Sequence, residues 1–194
     1  MSRRTADDAA RTREAVVDAA LAAFAERGFA ATRLEEIAVR AGATRGALYH
    51  HFDDKGALWT AVLRERWPMV VDPLLAERLG PGEPRPRIAA FVDGVLAAID
   101  EDPRARALLA MALSGDGALV GGLAEKHDAL QGWVDALTQP LAALGLDGPD
   151  ERAELVVDAL VGRATRAALG GAIDPDRRRR LGARVVDGAL AVRR

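Results

Sequence analysis

Seven residues that suit a DNA surface fall together in one short stretch: Thr44, Arg45, Gly46, Ala47, Tyr49, His50 and His51, with Lys55 a helical turn further on. A guanidinium such as that of Arg45 can hold the O6 and N7 edge of guanine through two hydrogen bonds, and the methyl of Ala47 fits against that of thymine. Tyr49, His50, His51 and Lys55 offer hydrogen bonds or charge to phosphate oxygens. Small side chains at 46 and 47 let a helix backbone come close to a groove. Thr32 and Arg33, at the start of the preceding helix, are counted in the same DNA-facing set.

Other chemistries fit these residues poorly. Adjacent side chains on a helix point about 100° apart, so His50 and His51 do not close on one metal ion. Asp53-Asp54 has nothing nearby to complete an acid–base site, and a helix cap explains Asp54. The chain has no cysteine, which removes thiolate nucleophiles, thiolate zinc sites and disulfides together. It also has no phosphate-cradling glycine loop, His-x-x-x-His pair or paired acidic metal motif. No catalytic residue, metal or cofactor is expected, and the chain is read as a non-enzyme. The run Arg177-Arg178-Arg179-Arg180 spreads around a helix near its N-terminus, with Asp174 and Asp176 beside it, and is read as solvated surface. Arg3, Arg4, Arg11 and Arg13 are either a basic arm reaching DNA or a frayed, solvated terminus.

The elements that would position these groups are helical. Val16, Ala19, Ala20, Ala23 and Phe24 follow the spacing of a buried stripe, and Gly28 supplies a stop. Thr32 with Glu35 reads as a capping box for a second helix, whose inner face is Leu34, Ile37, Ala38 and Ala41. Gly42 ends that helix, and Thr44 caps a third whose inward residues are Leu48 and Phe52. Two short helices joined by Ala41-Gly42-Ala43 make a helix-turn-helix, the second placed to enter the major groove. Asp54 caps a fourth helix with Ala57, Leu58, Ala61 and Val62 inward, which Pro68 and Pro73 must kink or break. Helical patterns then cover segments near 87–101, 104–114, 118–144, 149–170 and 175–192, the last opened by Asp174-Pro175. No segment alternates as a strand would.

Hydrophobic residues at 49% can bury a real core, and abundant Ala, Leu and Arg favour helix over strand. The expected fold is all-α with about nine helices: a three-helix DNA-binding domain over 1–53 and a larger helical body over 54–194. A net charge of −2 argues against indiscriminate nucleic-acid binding but leaves room for a local patch. Met1-Ser-Arg-Arg leads into polar residues, and no apolar run of spanning length follows, so neither a secretion signal nor a membrane segment is expected. A cytoplasmic location is the expectation.

The run from Phe29 to Leu58, FAATRLEEIAVRAGATRGALYHHFDDKGAL, resembles the DNA-binding domain of TetR-type regulators, and Ala19–Gly28 is similar to that family's first helix. The resemblance is strong over about residues 12–63. Departures are mild: Ala43 stands where the family often has Val, Asp53 puts a carboxylate near the expected phosphate path, and Gly56 sits in the first turn of helix 4. The resemblance implies that helices 1–3 bind DNA, that helix 4 links them to a ligand-binding body, and that the last two helices form a homodimer. It implies further that ligand moves helix 4 and changes the separation of the two recognition helices.

In the body, Trp67, Phe91, Met111 and Trp133 are the bulky residues, and His127, Gln131, Asp135, Arg163 and Arg166 are candidates to orient an apolar or amphipathic effector. Small residues on the last two helices, Ala159, Gly162 and Ala189 among them, with Leu181 and Val185, suit a four-helix bundle across a two-fold axis. The expected function is a sequence-specific regulator, a repressor that binds a palindromic double-stranded operator as a dimer and is released by a small effector. Two alternatives stand beside it: the same architecture without an effector, and a helical ligand-binding protein.

Overall fold

A computed structural model describes residues 2–73, 79, 81–113, 123–168, 170, 171 and 173–191; within these, the side chains of 2–6, 112, 113, 123–129 and 168 are not described. The described residues form nine helices and no strand: α1 (Ser2–Ala31), α2 (Leu34–Arg40), α3 (Arg45–His51), α4 (Lys55–Val70), α5 (Pro84–Glu101), α6 (Pro103–Leu113), α7 (Leu123–Ala142), α8 (Pro149–Ala168) and α9 (Pro175–Leu190). None is long and apolar enough to cross a membrane among the described residues.

Local chemistry sets most of the boundaries. The hydroxyl oxygen of Thr44 accepts from the Ala47 amide at 3.1 Å, Asp54 from Ala57 at 2.7 Å and Asp174 from Arg177 at 2.9 Å. Each cap satisfies an amide that the first helical turn leaves without a partner. Gly42 takes a φ of 64°, which lets the chain reverse between α2 and α3. Gly28, at φ 74°, interrupts α1 as expected, but one more turn follows to Ala31.

Two boundary expectations are corrected. Thr32 does not cap α2. Arg33 holds the cap position without a side-chain hydrogen bond, while the Thr32 hydroxyl turns back and donates to the Gly28 carbonyl at 2.7 Å. The break at Gly28 frees that carbonyl, and Thr32, only 1% exposed, is the side chain within reach. Pro68 does not end α4, which runs on to Val70. Ala57 is exposed, and Trp59 takes the inward place beside Leu58, Ala61 and Val62.

The long first helix is the spine. It packs on α2 and α3, on α4, and on α6 of the body. Helices α5, α6, α7 and α9 all pack on α8. One continuous apolar core runs from Val16 and Phe24 through Trp59 to Trp133 and Val186.

Candidate nucleic-acid interface

Helix α3 has two unlike faces. Leu48 and Phe52 are buried and hold it to the domain, whereas Thr44, Arg45, Gly46, Tyr49 and His50 are exposed and Ala47 and His51 are half-buried. A Cβ added at Gly46 would meet only the Thr44 hydroxyl oxygen, at 4.0 Å, so backbone stands open to an incoming surface there. The Arg45 side chain is 69% exposed, lies 3.4 Å from Glu35 and holds its guanidinium 5.4 Å from the Tyr49 ring centre. Both contacts sit on the surface, so Arg45 can leave them for a base edge at small cost. Arg33 is exposed at the start of α2. The rings of His50 and His51 meet edge to face at 5.2 Å. Burial holds His51 below the ordinary histidine range, with His50 and Arg13 adding repulsion.

Lys55 and Thr32 are placed differently from their sequence assignment. The Lys55 ammonium donates to the carbonyls of Phe29 at 2.7 Å, Thr32 at 2.9 Å and Ala30 at 3.3 Å, and lies 4.4 Å from the Phe29 ring centre. All three protons are engaged, so Lys55 caps the C-terminal end of α1. The Thr32 hydroxyl points into the domain for the reason given above. Beneath them lies a cluster that sequence reasoning missed: Trp59 stands 4.9 Å from Phe24 and 5.1 Å from Phe29, both edge to face.

Ion pairs tie the domain together. Arg40 grips Glu26 and Arg27 grips Glu36 between α1 and α2. Arg13 and Asp18 of α1 pair with Glu65 and Arg66 of α4, at 2.6 and 2.7 Å. Of the arginines considered for a basic arm, Arg11 pairs with Asp8 and Arg13 turns inward; the side chains of Arg3 and Arg4 lie outside the described residues.

In the body, Trp133 packs 5.9 Å from Trp67 and 5.3 Å from Phe91, and Met111 is buried in the same core. The indole N–H of Trp133 is buried without a hydrogen-bond partner. Arg163 is not free to orient a ligand: it forms a buried pair with Asp100 and donates to the Gly171 carbonyl at 2.7 Å. Arg166 is exposed, Gln131 and Asp135 bond each other on the surface at 2.9 Å, and the His127 side chain lies outside the described residues.

Of the residues assigned to a dimer face, Ala159 and Gly162 are exposed, and Leu181 and Val185 are half-buried. Ala189 is 4% exposed and belongs to the subunit's own core, because α9 turns it inward with Gly182 and Val186. Leu155, unremarked in the sequence, is 57% exposed on the same face of α8 as Ala159 and Gly162.

A capped, anchored α3 that follows α2 across a glycine turn makes a helix-turn-helix, and the other elements among the described residues are helices too. Comparison with known proteins makes this specific. Residues 16–62 match the family described as bacterial regulatory proteins, tetR family. The transcriptional repressor BepR of Brucella suis is 49% identical over 67 residues, which cover 34% of this chain and 32% of that protein. The chain thus spans about a third of the length of the curated relatives it matches. A transcriptional regulator from Rhodococcus sp. Rha1 has the same fold across 92% of this chain and 95% of its own, with 27% identity and a TM-score of 0.77. A complex of SmeT with triclosan aligns over 92% of this chain and 90% of its own, at 27% identity and a TM-score of 0.64. Residues 16–62 thus form a tetR-family DNA-binding domain, carried on a helical body whose fold matches those solved structures.

Proposed function

We propose that the protein is a transcriptional repressor that binds a palindromic operator as a homodimer and lets go when a small apolar or amphipathic effector enters its body. The observation that carries this reading is α3: a helix anchored by Leu48 and Phe52 whose outer face offers Arg45, Gly46, Ala47 and Tyr49 to base edges. Thr44, Arg33 and His50 are the phosphate-facing groups beside them. Residues 1–53 would form the reading head and 54–194 the body.

The dimer draws support from charge as well as from the open face of α8. Arg152 near the start of α8 donates to the carbonyls of Ala189 and Ala191 at the end of α9, so the two helices run antiparallel. Exposed Glu151, Glu154 and Asp158 lie on the N-terminal half of α8, and exposed Arg177, Arg180 and Arg184 on that of α9. A two-fold axis perpendicular to the two helices would bring one copy's acids to the same end of the bundle as the other's arginines. The BepR likeness supports repression, and the triclosan complex of SmeT supports a small apolar effector. A cytoplasmic location fits a regulator of this kind.

Selection of bound fragments from a random DNA pool tests the reading, followed by a screen for small molecules that release the selected DNA. The expected result is an enriched palindrome and at least one releasing compound. A pool with no enriched palindrome would refute operator binding by a dimer.

A further inference from the structure

Arg13 stands where three elements meet. Its two terminal nitrogens donate to the two carboxylate oxygens of Glu65 on α4, at 2.7 and 2.6 Å. The Phe52 ring, which closes the recognition helix α3, lies 5.1 Å from the guanidinium carbon. A guanidinium can do both at once, because its donors lie in the plane and its faces are free for an aromatic ring. A lysine ammonium would offer a point charge with neither the fork nor the plane.

The setting is more enclosed than that of the bridges joining α1 to α2. The Arg13 and Glu65 side chains are 35% and 26% exposed, against 41% to 52% for the pairs joining α1 to α2. The hydrogen bond from Arg13 holds the Glu65 carboxyl below the usual carboxylate range, so the pair stays charged at neutral pH. Asp18 and Arg66 form a second bridge between the same helices with the charges exchanged. Two bridges of opposite sense oppose sliding of α4 along α1, since a shifted register loses both pairs.

We propose that Arg13 is a positioning residue for DNA recognition: its edge on Glu65 and its face on Phe52 lock the recognition helix to α4, and this lock fixes the half-site spacing that the dimer reads. The inference rests on the dimeric operator reading above. Each base pair added between half-sites moves one of them by about 3.4 Å along the DNA axis and about 35° around it. A rigid head cannot follow that displacement, and a loosened one can.

The test measures affinity for the selected operator and for versions with one or two base pairs added or removed at its centre. Arg13→Lys and Glu65→Gln are compared with the wild type, and Arg40→Ala, which breaks a two-pronged bridge that does not reach α4, serves as control. The wild type and Arg40→Ala should lose roughly tenfold or more on a one-base-pair change. Arg13→Lys and Glu65→Gln should lose about threefold or less. Both variants keeping the wild-type spacing profile, a uniform weakening at every spacing, or equal relaxation in Arg40→Ala would each overturn the inference. A wild type without any spacing preference overturns the operator reading, and this inference with it.

Discussion

Replacing Lys55 with methionine keeps an apolar stem along Phe29 and removes the ammonium that caps α1. Two of its three carbonyl partners, Phe29 and Thr32, are held in part-buried bonds, while the Ala30 bond is open to water. A hydrogen bond to a charged group contributes about 1.5–3 kcal/mol. The favourable end of a helix adds about 0.3–1 kcal/mol, and the cation over the Phe29 ring about 0.5–1 kcal/mol. These terms share one group and do not add, and the ammonium's own desolvation offsets part of them. A net loss of about 2–3 kcal/mol follows, which in a chain of this size lowers Tm by about 5–10 °C. Urea and thermal unfolding measure that directly. A phosphate contact behaves otherwise: its loss leaves folding nearly untouched and reduces the salt slope of DNA binding by about one. A Lys55→Met variant with unchanged Tm and a reduced slope would refute the capping role and return Lys55 to the DNA surface.

Arg45→Ala should cost about 1–3 kcal/mol of operator affinity and relax preference at one base position; an even loss across all sequences would place Arg45 on phosphate. Glu35→Gln, which removes the carboxylate 3.4 Å from Arg45, should tighten binding by about 0.2–1 kcal/mol, read by titration at fixed salt. His51 titrates below its ordinary value of 6.5 in the folded chain, so its contribution to stability is full above about pH 6.5 and is lost as pH falls through the lowered value. His51→Gln should therefore flatten the stability curve as pH falls below about 6.5, and identical curves for both proteins would exclude this. Leu155→Asp should split the dimer by placing an unpaired charge in its interface. Light scattering that still shows a dimer puts the contact elsewhere, and Leu155 is a cleaner probe than Leu181 because Leu181 also packs on the subunit's own core.

Features set within one helical turn were legible from sequence. Thr44, Asp54 and Asp174 cap the helices that follow them, Gly28 breaks α1 and Gly42 marks a chain reversal, because each acts on neighbours three or four residues away. The capping box at Thr32 failed on an equally local competitor, the Gly28 carbonyl that the break in α1 leaves open. Lys55 shows a different limit. Its partners lie 23 to 26 residues upstream, so its position in the motif suggested DNA while the fold gave it three carbonyls first. Trp59 was passed over for Ala57 because the helical stripe alone does not say which side of α4 meets Phe24 and Phe29. Arg13 was least legible: its partner Glu65 is 52 residues away, and the local pattern shows only one more arginine near a terminus.

The arrangement of α4 explains why polar bridges stand at a place where apolar packing would stabilise as well. Apolar contacts are non-directional and tolerate a small slide between helices. A two-pronged guanidinium–carboxylate bridge fixes both distance and angle. Glu65 and Arg66 grip α1, and the next residue, Trp67, packs on Trp133 of the body. Consecutive residues of one helix therefore touch the head and the body. The backbone between α3 and α4 is only Phe52-Asp53-Asp54, and Phe52 is itself braced by Arg13. Orientation of the recognition helix is thus set by side chains of a helix that also packs on the body.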